Sequence, residues 1–316
     1  INPGMVPGAV ICGAMFGDKL SPFSDTTNLA PAVAGAKLGD HIKSMLWTTL
    51  PPMIISIIFF TVVGIQQTNG GYDPGDLNIY IDYLQGAFHI GWTTLIPAIL
   101  IIALLMFRVG AFEALGIGAI AGALVAIFVQ GVDVRSILKV CYDGFTSDTD
   151  IAVLKSILNR GGMASMLQYV AIITFAVGMG GMLDRLGVLN NILSVFIKRI
   201  NSDGSLVLAT LLTGYVTSIV SCSSPMSHVL TGRLMQPLFK ERGVAPRILS
   251  RCLEDSGTLA GPMIPWHGYG IYMAGTLGVT WAQYIGFVPL LWLTPLFSIL
   301  YGFTGISIKH VNDEKK

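Results

Sequence analysis

Charge is what this sequence has least of. Lys, Arg, Asp and Glu make up 12% of its 316 residues, about half of what a soluble domain carries. Hydrophobic residues account for 53%, and the mean hydropathy is +0.68. A soluble globular domain is excluded on that ground. The formal net charge is +1 with no basic block, which removes the electrostatic footprint of a nucleic-acid binder. Strict alternation of apolar and polar residues is missing as well: runs such as Ile96 to Phe107 are continuously apolar, unlike the strands of a transmembrane barrel. Cysteine is scarce, and Cys12, Cys141, Cys222 and Cys252 show no C-x-x-C spacing. They are read as reduced packing residues, not as a disulfide framework or a metal site. No resident cofactor is expected. Nor does a targeting segment precede the first apolar stretch; the chain opens at Ile1 and is read as the C-terminal portion of a longer protein.

What remains is an all-α polytopic membrane protein. Apolar runs of spanning length are expected at Thr48 to Ile65, after a short interfacial helix at Gly39 to Trp47, then at Trp92 to Phe107, Phe112 to Gln130, Met163 to Leu183 and Trp281 to Phe303. Gln66 to His89 reads as a loop, with turn signals at Asn69-Gly70-Gly71 and Asp73-Pro74. Gly118 and Gly122 have the G-x-x-x-G spacing that permits close helix contact. An amphipathic piece is expected before Lys198-Arg199. The acidic run Asp143 to Asp150 lacks the ligand spacing of a calcium loop and is read as solvated. As one membrane domain, the chain divides into 1–65, ending a first repeat; 66–162, connecting loops and scaffold helices; and 163–316, a second repeat.

Polar residues interrupt the apolar sequence at three places. Gly17 to Pro31 carries Asp18, Lys19, Ser21, Ser24, Asp25, Thr26, Thr27 and Asn28 between two apolar flanks, each about half a span long. It reads as one crossing broken at its centre, because irregular backbone at membrane depth is tolerated only where protein or a water-filled cavity surrounds it. Ser221 to His228, containing Ser223, Ser224, Ser227 and His228, follows a hydrophobic rise and precedes a short return at Val229 to Phe239, as in a re-entrant hairpin. Glu254 to Pro265, containing Glu254, Asp255, Ser256 and Thr258, interrupts a crossing from about Arg247 to Leu277.

With the Gln66 to His89 loop outside, only Arg135, Lys139, Lys155 and Arg160 of the basic residues fall outside, and Lys19 lies in the membrane. The others fall inside, as the positive-inside rule requires, which places the C-terminus in the cytoplasm and makes the two broken helices antiparallel. Asp25-Thr26-Thr27-Asn28-Leu29-Ala30 also matches Asp255-Ser256-Gly257-Thr258-Leu259-Ala260 without a gap, as D-[ST]-x-[NT]-L-A. Discontinuous helices related in this way are expected of inverted-topology repeats in secondary transporters.

The segments GDKLSPFSDTTNLA and LSRCLEDSGTLAGPMIPW resemble the NhaC-type sodium/proton antiporter family, which includes sodium-lactate/malate-proton exchangers. The resemblance covers essentially the whole chain. It implies inverted repeats with re-entrant hairpins, a dimeric scaffold, an elevator-like transport domain and a further upstream half. After Ile264-Pro265-Trp266 this chain has His267-Gly268-Tyr269-Gly270 where similar proteins often carry Asn-Thr-Cys-Gly.

Sodium is a hard cation that takes oxygen ligands, and unwound segments at Ser24 to Asn28 and Asp255 to Thr258 would offer carboxylates, hydroxyls and backbone carbonyls. Asp25 and Asp255 are the leading ion-coupling carboxylates. Asp18, Ser21, Ser24, Thr26, Thr27, Asn28, Glu254, Ser256, Thr258, Ser223, Ser224 and Ser227 are further candidates. His228 and His267 could carry protons. Bland alternatives stand beside these: Asp25 and Asp255 as helix caps, Asp18 with Lys19 as a structural ion pair, Glu254 paired with Arg251 at i−3, and the serines bonding back to helix carbonyls. The expected function is exchange of Na⁺ for H⁺ across the cell membrane, with a Na⁺-lactate/malate-H⁺ antiporter as the alternative. A channel fits paired antiparallel interruptions less well. An intramembrane aspartyl protease is remote, because Met15 stands where a Gly-x-Gly-Asp pattern ending at Asp18 needs its first glycine.

Overall fold

Helix Leu38–Gln67 is built inside out relative to a soluble helix. His41, Ser44, Thr48, Thr49 and Ser56 are its buried polar residues, while Trp47, Leu50, Ile54, Ile58 and Ile65 are exposed. Apolar residues outward and hydroxyls inward is the pattern expected when lipid is the solvent. The computed structural model describes residues 2–21, 24–67, 74–107, 109–151, 154–155, 158–159, 161–187 and 200–311. Among these the β pairing is a lone bridge between Val244 and His310, and the chain is otherwise helices and their connections. Among the described residues two helices, Leu38–Gln66 and Asp203–Ser221, are long and apolar enough to span a membrane on their own. Two bent pairs add to these if each counts as one crossing.

Contacts divide the chain into two units, Ile1–Asn69 with Ala171–Lys316, and Gly70–Val170. In the first unit α1 (Met5–Leu20), α2 (Asp25–Ala34) and α3 (Leu38–Gln67) open the chain. The second unit carries α4 (Pro74–Ala87), a 3-10 turn at Trp92–Leu95, α5 (Ile96–Met106), α6 (Ala111–Phe128) and α7 (Val134–Asp143). The first unit resumes at Ala171, within α8 (Met163–Arg185), and goes on with α9 (Asp203–Ser221), α10 (Ser224–Glu241) and α11 (Pro246–Leu253). A π-helical turn at Glu254–Thr258 continues α11 into α12 (Ala260–Met263). Then come α13 (Gly268–Leu277), α14 (Trp281–Tyr284) and α15 (Pro289–Thr304).

Several expectations need correction. The interfacial helix and the following span are one helix, α3; Pro51 and Pro52 lie within it, and the Ser56 hydroxyl bonds back to the Pro52 carbonyl. The expected loop at Gln66 to His89 contains α4, for which Pro74 supplies a first position that needs no N–H donor. The return limb of the hairpin is not short: α10 runs for 18 residues. The turn between α9 and α10 is made by Cys222, whose φ of 57° is left-handed without being glycine. The last span is bent by 52° where Pro289 begins α15. The most consequential difference is at Glu254 to Thr258. These residues are not unwound; Leu259 N–H reaches the Glu254 carbonyl five residues back, so the helix widens there instead of stopping. The true break lies at Ile264 to His267.

Gly118 presses on the Ile101 side chain, with a methyl at its position placed 2.3 Å from Ile101 Cδ1. The G-x-x-x-G glycine therefore serves contact between α5 and α6. The amphipathic piece before Lys198-Arg199, the Pro22-Phe23 step, Arg108 and the tail lysines Lys315 and Lys316 lie outside the described residues.

Two apolar clusters hold the first unit. One joins Ala30 and Ala34 of α2 to Leu206, Leu211, Met235, Phe239, Leu249 and Leu253. The other joins Ile11 and Met15 of α1 to Leu259, Tyr284, Val288 and Leu291. The π turn connects Leu253, in the first cluster, to Leu259, in the second, so its polar residues are clamped between two packed regions.

Candidate functional site

The π turn brings Glu254 and Asp255 to full burial together with Ser256 and Thr258. Two glycines allow this approach. A methyl group on Gly214 of α9 would lie 2.0 Å from Ser256 Oγ, and one on Gly257 would lie 2.5 Å from the His228 ring. The α9 backbone at Gly214 and the His228 side chain of α10 therefore lie directly against the turn.

Asp255 is met from two other helices. The Lys19 ammonium of α1 donates to Asp255 Oδ1, and the Thr48 hydroxyl of α3 donates to the same oxygen at 3.1 Å. Lys19 and Asp255 are both fully buried, and Asp255 Oδ2 has no partner. Beside them neither carboxylate oxygen of Glu254 has a partner at hydrogen-bond distance. Lys19, Asp18 and Asp255 are near enough to interact with its charge, and the Thr258 hydroxyl is the nearby donor.

Around this core lies a layer of hydroxyls and imidazoles. The Thr258 hydroxyl pairs with His228 Nε2 at 3.2 Å. Thr217 links to Ser227 at 2.8 Å and to Thr231 at 2.9 Å. Ser250 meets His41 Nδ1, leaving His41 Nε2 unpartnered. Thr213 and Ser224 each hold a buried hydroxyl with no partner. Fixed cation, acid pair and free hydroxyls make an oxygen-rich interior in which the acidic groups outnumber the ammonium. Such a set suits a small hard cation or a proton. Among the described residues no three His, Cys, Asp or Glu side chains are grouped as a site for a softer metal.

The first interruption contributes differently from its expected role. Thr26 to Asn28 are helical, in α2, so their carbonyls belong to the helix. Thr27 donates to the carbonyls of Asp18 and Lys19, at 3.0 and 3.1 Å, and so stitches the two half-helices across the break. Ser24 pairs with Thr26, and its carbonyl takes the Asn28 amide at 2.7 Å. Ser21 caps the end of α1. Asp25 is exposed, and its Oδ1 accepts from Thr26 N–H. The structure does not bring Asp25 to the carboxylate of Asp255, whose partners are Lys19 and Thr48. Asp25 does lie within electrostatic reach of Asp18, which is half-buried with one oxygen unpartnered.

The remaining candidates divide. His228, Ser224 and Ser227 join the buried layer, while Ser223 is half-buried at the start of α10, its carbonyl taking the Ser221 hydroxyl. Ser256 bonds back to Cys252. His267 opens α13, its Nδ1 accepting from Tyr269 N–H. Two expected pairings are corrected. Lys19 pairs with Asp255 and not with Asp18, because α1 stays helical through Leu20 and carries the ammonium to the π turn. Arg251 does not meet Glu254; its Nη1 donates to Ser307 at 2.8 Å.

Sequence reasoning passed over Thr48 and His41, which face inward from a long apolar helix. The available signal was their spacing. His41, Ser44, Thr48 and Ser56 recur on one side of α3, and polar residues on a spanning helix face protein.

The Na⁺/H⁺ antiporter family matches residues 13–306. The chain belongs to that family. Within it, the chain is 37% identical over 98% of its length to a Na⁺/H⁺ antiporter NhaC of Alkalihalophilus pseudofirmus, covering 66% of that protein. It is 38% identical over 95% of its length to the malate-2H⁺/Na⁺-lactate antiporter of Bacillus subtilis, covering 64%. A third relative is the arginine/ornithine antiporter ArcD of Halobacterium salinarum, 31% identical over 95% of the chain and 62% of that protein. The chain thus spans just under two thirds of the length of these relatives. No solved structure matches it.

Proposed function

We propose that the full-length protein is a secondary transporter of the cell membrane that exchanges Na⁺ for H⁺, with Glu254 and Asp255 as the carboxylates that hold either ion. One observation carries the reading: a fully buried Lys19–Asp255 pair lies beside a fully buried Glu254 whose oxygens have no partner at hydrogen-bond distance. An uncompensated carboxylate in such a place is very costly, so Glu254 takes up a proton or a cation. Na⁺ entering the site competes with the Glu254 proton and with the Lys19 ammonium for the same oxygens, while Thr48, Thr258 and the other hydroxyls supply neutral ligands. Protons return when Na⁺ leaves. His228 and His41 are the neighbouring groups able to relay them, and Asp18 and Asp25 attract cations toward the break.

Alternating access then follows from movement of this clamped region against a scaffold, in the elevator manner. The hairpin of α9 and α10 acts as a re-entrant gate, two inverted repeats form the site, the protein is a homodimer, and the C-terminus is cytoplasmic. The family membership and the two matched polar segments support this part of the reading.

A second reading couples Na⁺ and H⁺ to lactate or malate. It is favoured by the fixed ammonium of Lys19, a partner for an organic carboxylate, and by similarity to the malate-2H⁺/Na⁺-lactate antiporter. Proteoliposomes holding the full-length protein separate the two. Under the first reading an imposed Na⁺ gradient moves protons with no organic acid present. Under the second it moves them only when lactate or malate is added. Proton flux in neither condition would overturn both.

A further inference from the structure

Beyond α15, the segment from Gly305 to Val311 is laid along α11 as a strap. At the start of α11 the Ala245 N–H donates to the Lys309 carbonyl at 2.9 Å, and the Val311 N–H donates to the Gly243 carbonyl at 2.9 Å. These bonds make the antiparallel bridge of Val244 and His310. In the last turn of α11, Arg251 Nη1 donates to the Ser307 hydroxyl at 2.8 Å. Ser307 is left-handed, with φ 63°, a conformation that residues other than glycine seldom adopt, and Ile308 packs against the first apolar cluster. The strap therefore grips both ends of the helix that runs into the π turn carrying Glu254 and Asp255.

One fastening of this strap is titratable. His310 Nε2 lies 3.1 Å from Asp203 Oδ2 in the first turn of α9, and Arg242 Nε, at the close of α10, lies 3.5 Å from Asp203 Oδ1. A single carboxylate thus joins the strap to α9 and to the end of α10. The side chains of His310, Asp203 and Arg242 are 42%, 31% and 30% exposed, so solvent protons reach the cluster. The other charged groups on the elements that meet the strap are Lys240 and Glu241 at the end of α10, both exposed, Arg247 in the first turn of α11, and Lys309 beside His310. Imidazole is the side chain whose charge ordinarily changes near neutral pH. Protonated, His310 makes a charge-assisted bond to Asp203; neutral, it keeps an ordinary hydrogen bond, about half as strong.

We propose that His310 and Asp203 form a pH-sensitive latch on this strap. At low pH the imidazolium fastens the strap to α9 and holds α11 firmly. As the pH rises through the imidazole range the latch loosens, and α11, with the π turn at its end, moves more freely. The pair is partly exposed, so the effect is modest, about two- to fivefold in the population of the opened strap. None of the latch residues belongs to the Glu254–Asp255 site, so the inference stands whichever ions that site exchanges.

The test follows hydrogen exchange by mass spectrometry in the purified full-length protein, at peptides holding residues 243–253 and 305–311. Exchange is read from about pH 5 to about pH 8, the range over which an imidazole titrates, and corrected for the intrinsic rate at each pH. In the wild type, protection should fall by about two- to fivefold as the pH rises. His310→Gln keeps a neutral donor and should show the weaker protection at every pH, without the step. The difference between the two chains removes the effect of titration elsewhere in the protein. Asp203→Asn, which takes the charge from the other partner, should abolish the step as well. A cooperative thermal unfolding transition like that of the wild type establishes that a variant folds, and either variant alone suffices. Wild-type protection that does not change with pH, or a step that persists undiminished in a folded variant, overturns the proposal.

Discussion

Lys19 donates to Asp255 across 236 positions of sequence, and both side chains are fully buried. Removing one member of such a pair leaves the other as an uncompensated charge, at a cost of about 3–5 kcal/mol. Lys19→Met and Asp255→Leu are each expected to lower stability by that amount in detergent. The double variant should lose less than either single one, since no buried charge is then left unpaired. Equal or additive losses in thermal unfolding would show that the pair does not exist in the folded protein.

Asp25 gives the contrasting case. It is exposed, and its oxygen serves the adjacent Thr26 N–H. Asp25→Asn keeps that acceptor and should change stability by no more than about 0.5 kcal/mol. A loss as large as that of Asp255→Leu would place Asp25 in the buried network after all.

Gly214 lies so close to the π turn that a methyl group there would be 2.0 Å from Ser256 Oγ. Gly214→Ala is expected to cost about 1–3 kcal/mol through overpacking, and Ser256→Ala in the same chain should restore part of it. No restoration would mean that α9 and the π turn are farther apart than described.

In the second unit, Asp133 caps α7. Hydrogen bonds from the Ser136 hydroxyl and amide hold its carboxyl below the ordinary carboxylate range. A folded-state value that is depressed stabilises the helix start fully above the unfolded value of about 3.9, and this is lost as pH falls through the folded value. The Ser136 amide should therefore exchange faster as the pH is lowered below about 4, relative to its expected intrinsic rate. In Asp133→Ala it should be fast at neutral pH already. A protection factor independent of both would rule the cap out.

How much of this was legible in the sequence differs by element. The polar interruptions stood out because hydroxyls and carboxylates are expensive in apolar surroundings, and that cost, with the match between the segments at Asp25 and Asp255, drew attention to Glu254 and Asp255, which the structure buries fully. The state of their backbone was not legible. D-[ST]-x-[NT]-L-A begins an α-helix after a break at Asp25 but forms a π turn at Asp255, because the second copy is gripped by Leu253 and Leu259 in two packed clusters. Local sequence does not show such clamping. The partner of Lys19 was hidden for a similar reason: adjacency favoured Asp18, whereas helical continuity of α1 carries the ammonium to a residue on another helix. Thr48 and His41 were readable from their spacing along α3, but His41 was assigned to a separate interfacial helix and Thr48 to a span judged by its apolar residues.

Sodium binding to the full-length protein, followed by calorimetry as pH is stepped, tests the central claim most directly. The account expects the apparent affinity to weaken by about tenfold per pH unit for each proton displaced as the site protonates. Glu254→Gln should lose that dependence, and Asp255→Asn should lose sodium binding, while Asp25→Asn keeps both. Sodium binding by Glu254→Gln with an unchanged pH dependence would contradict it.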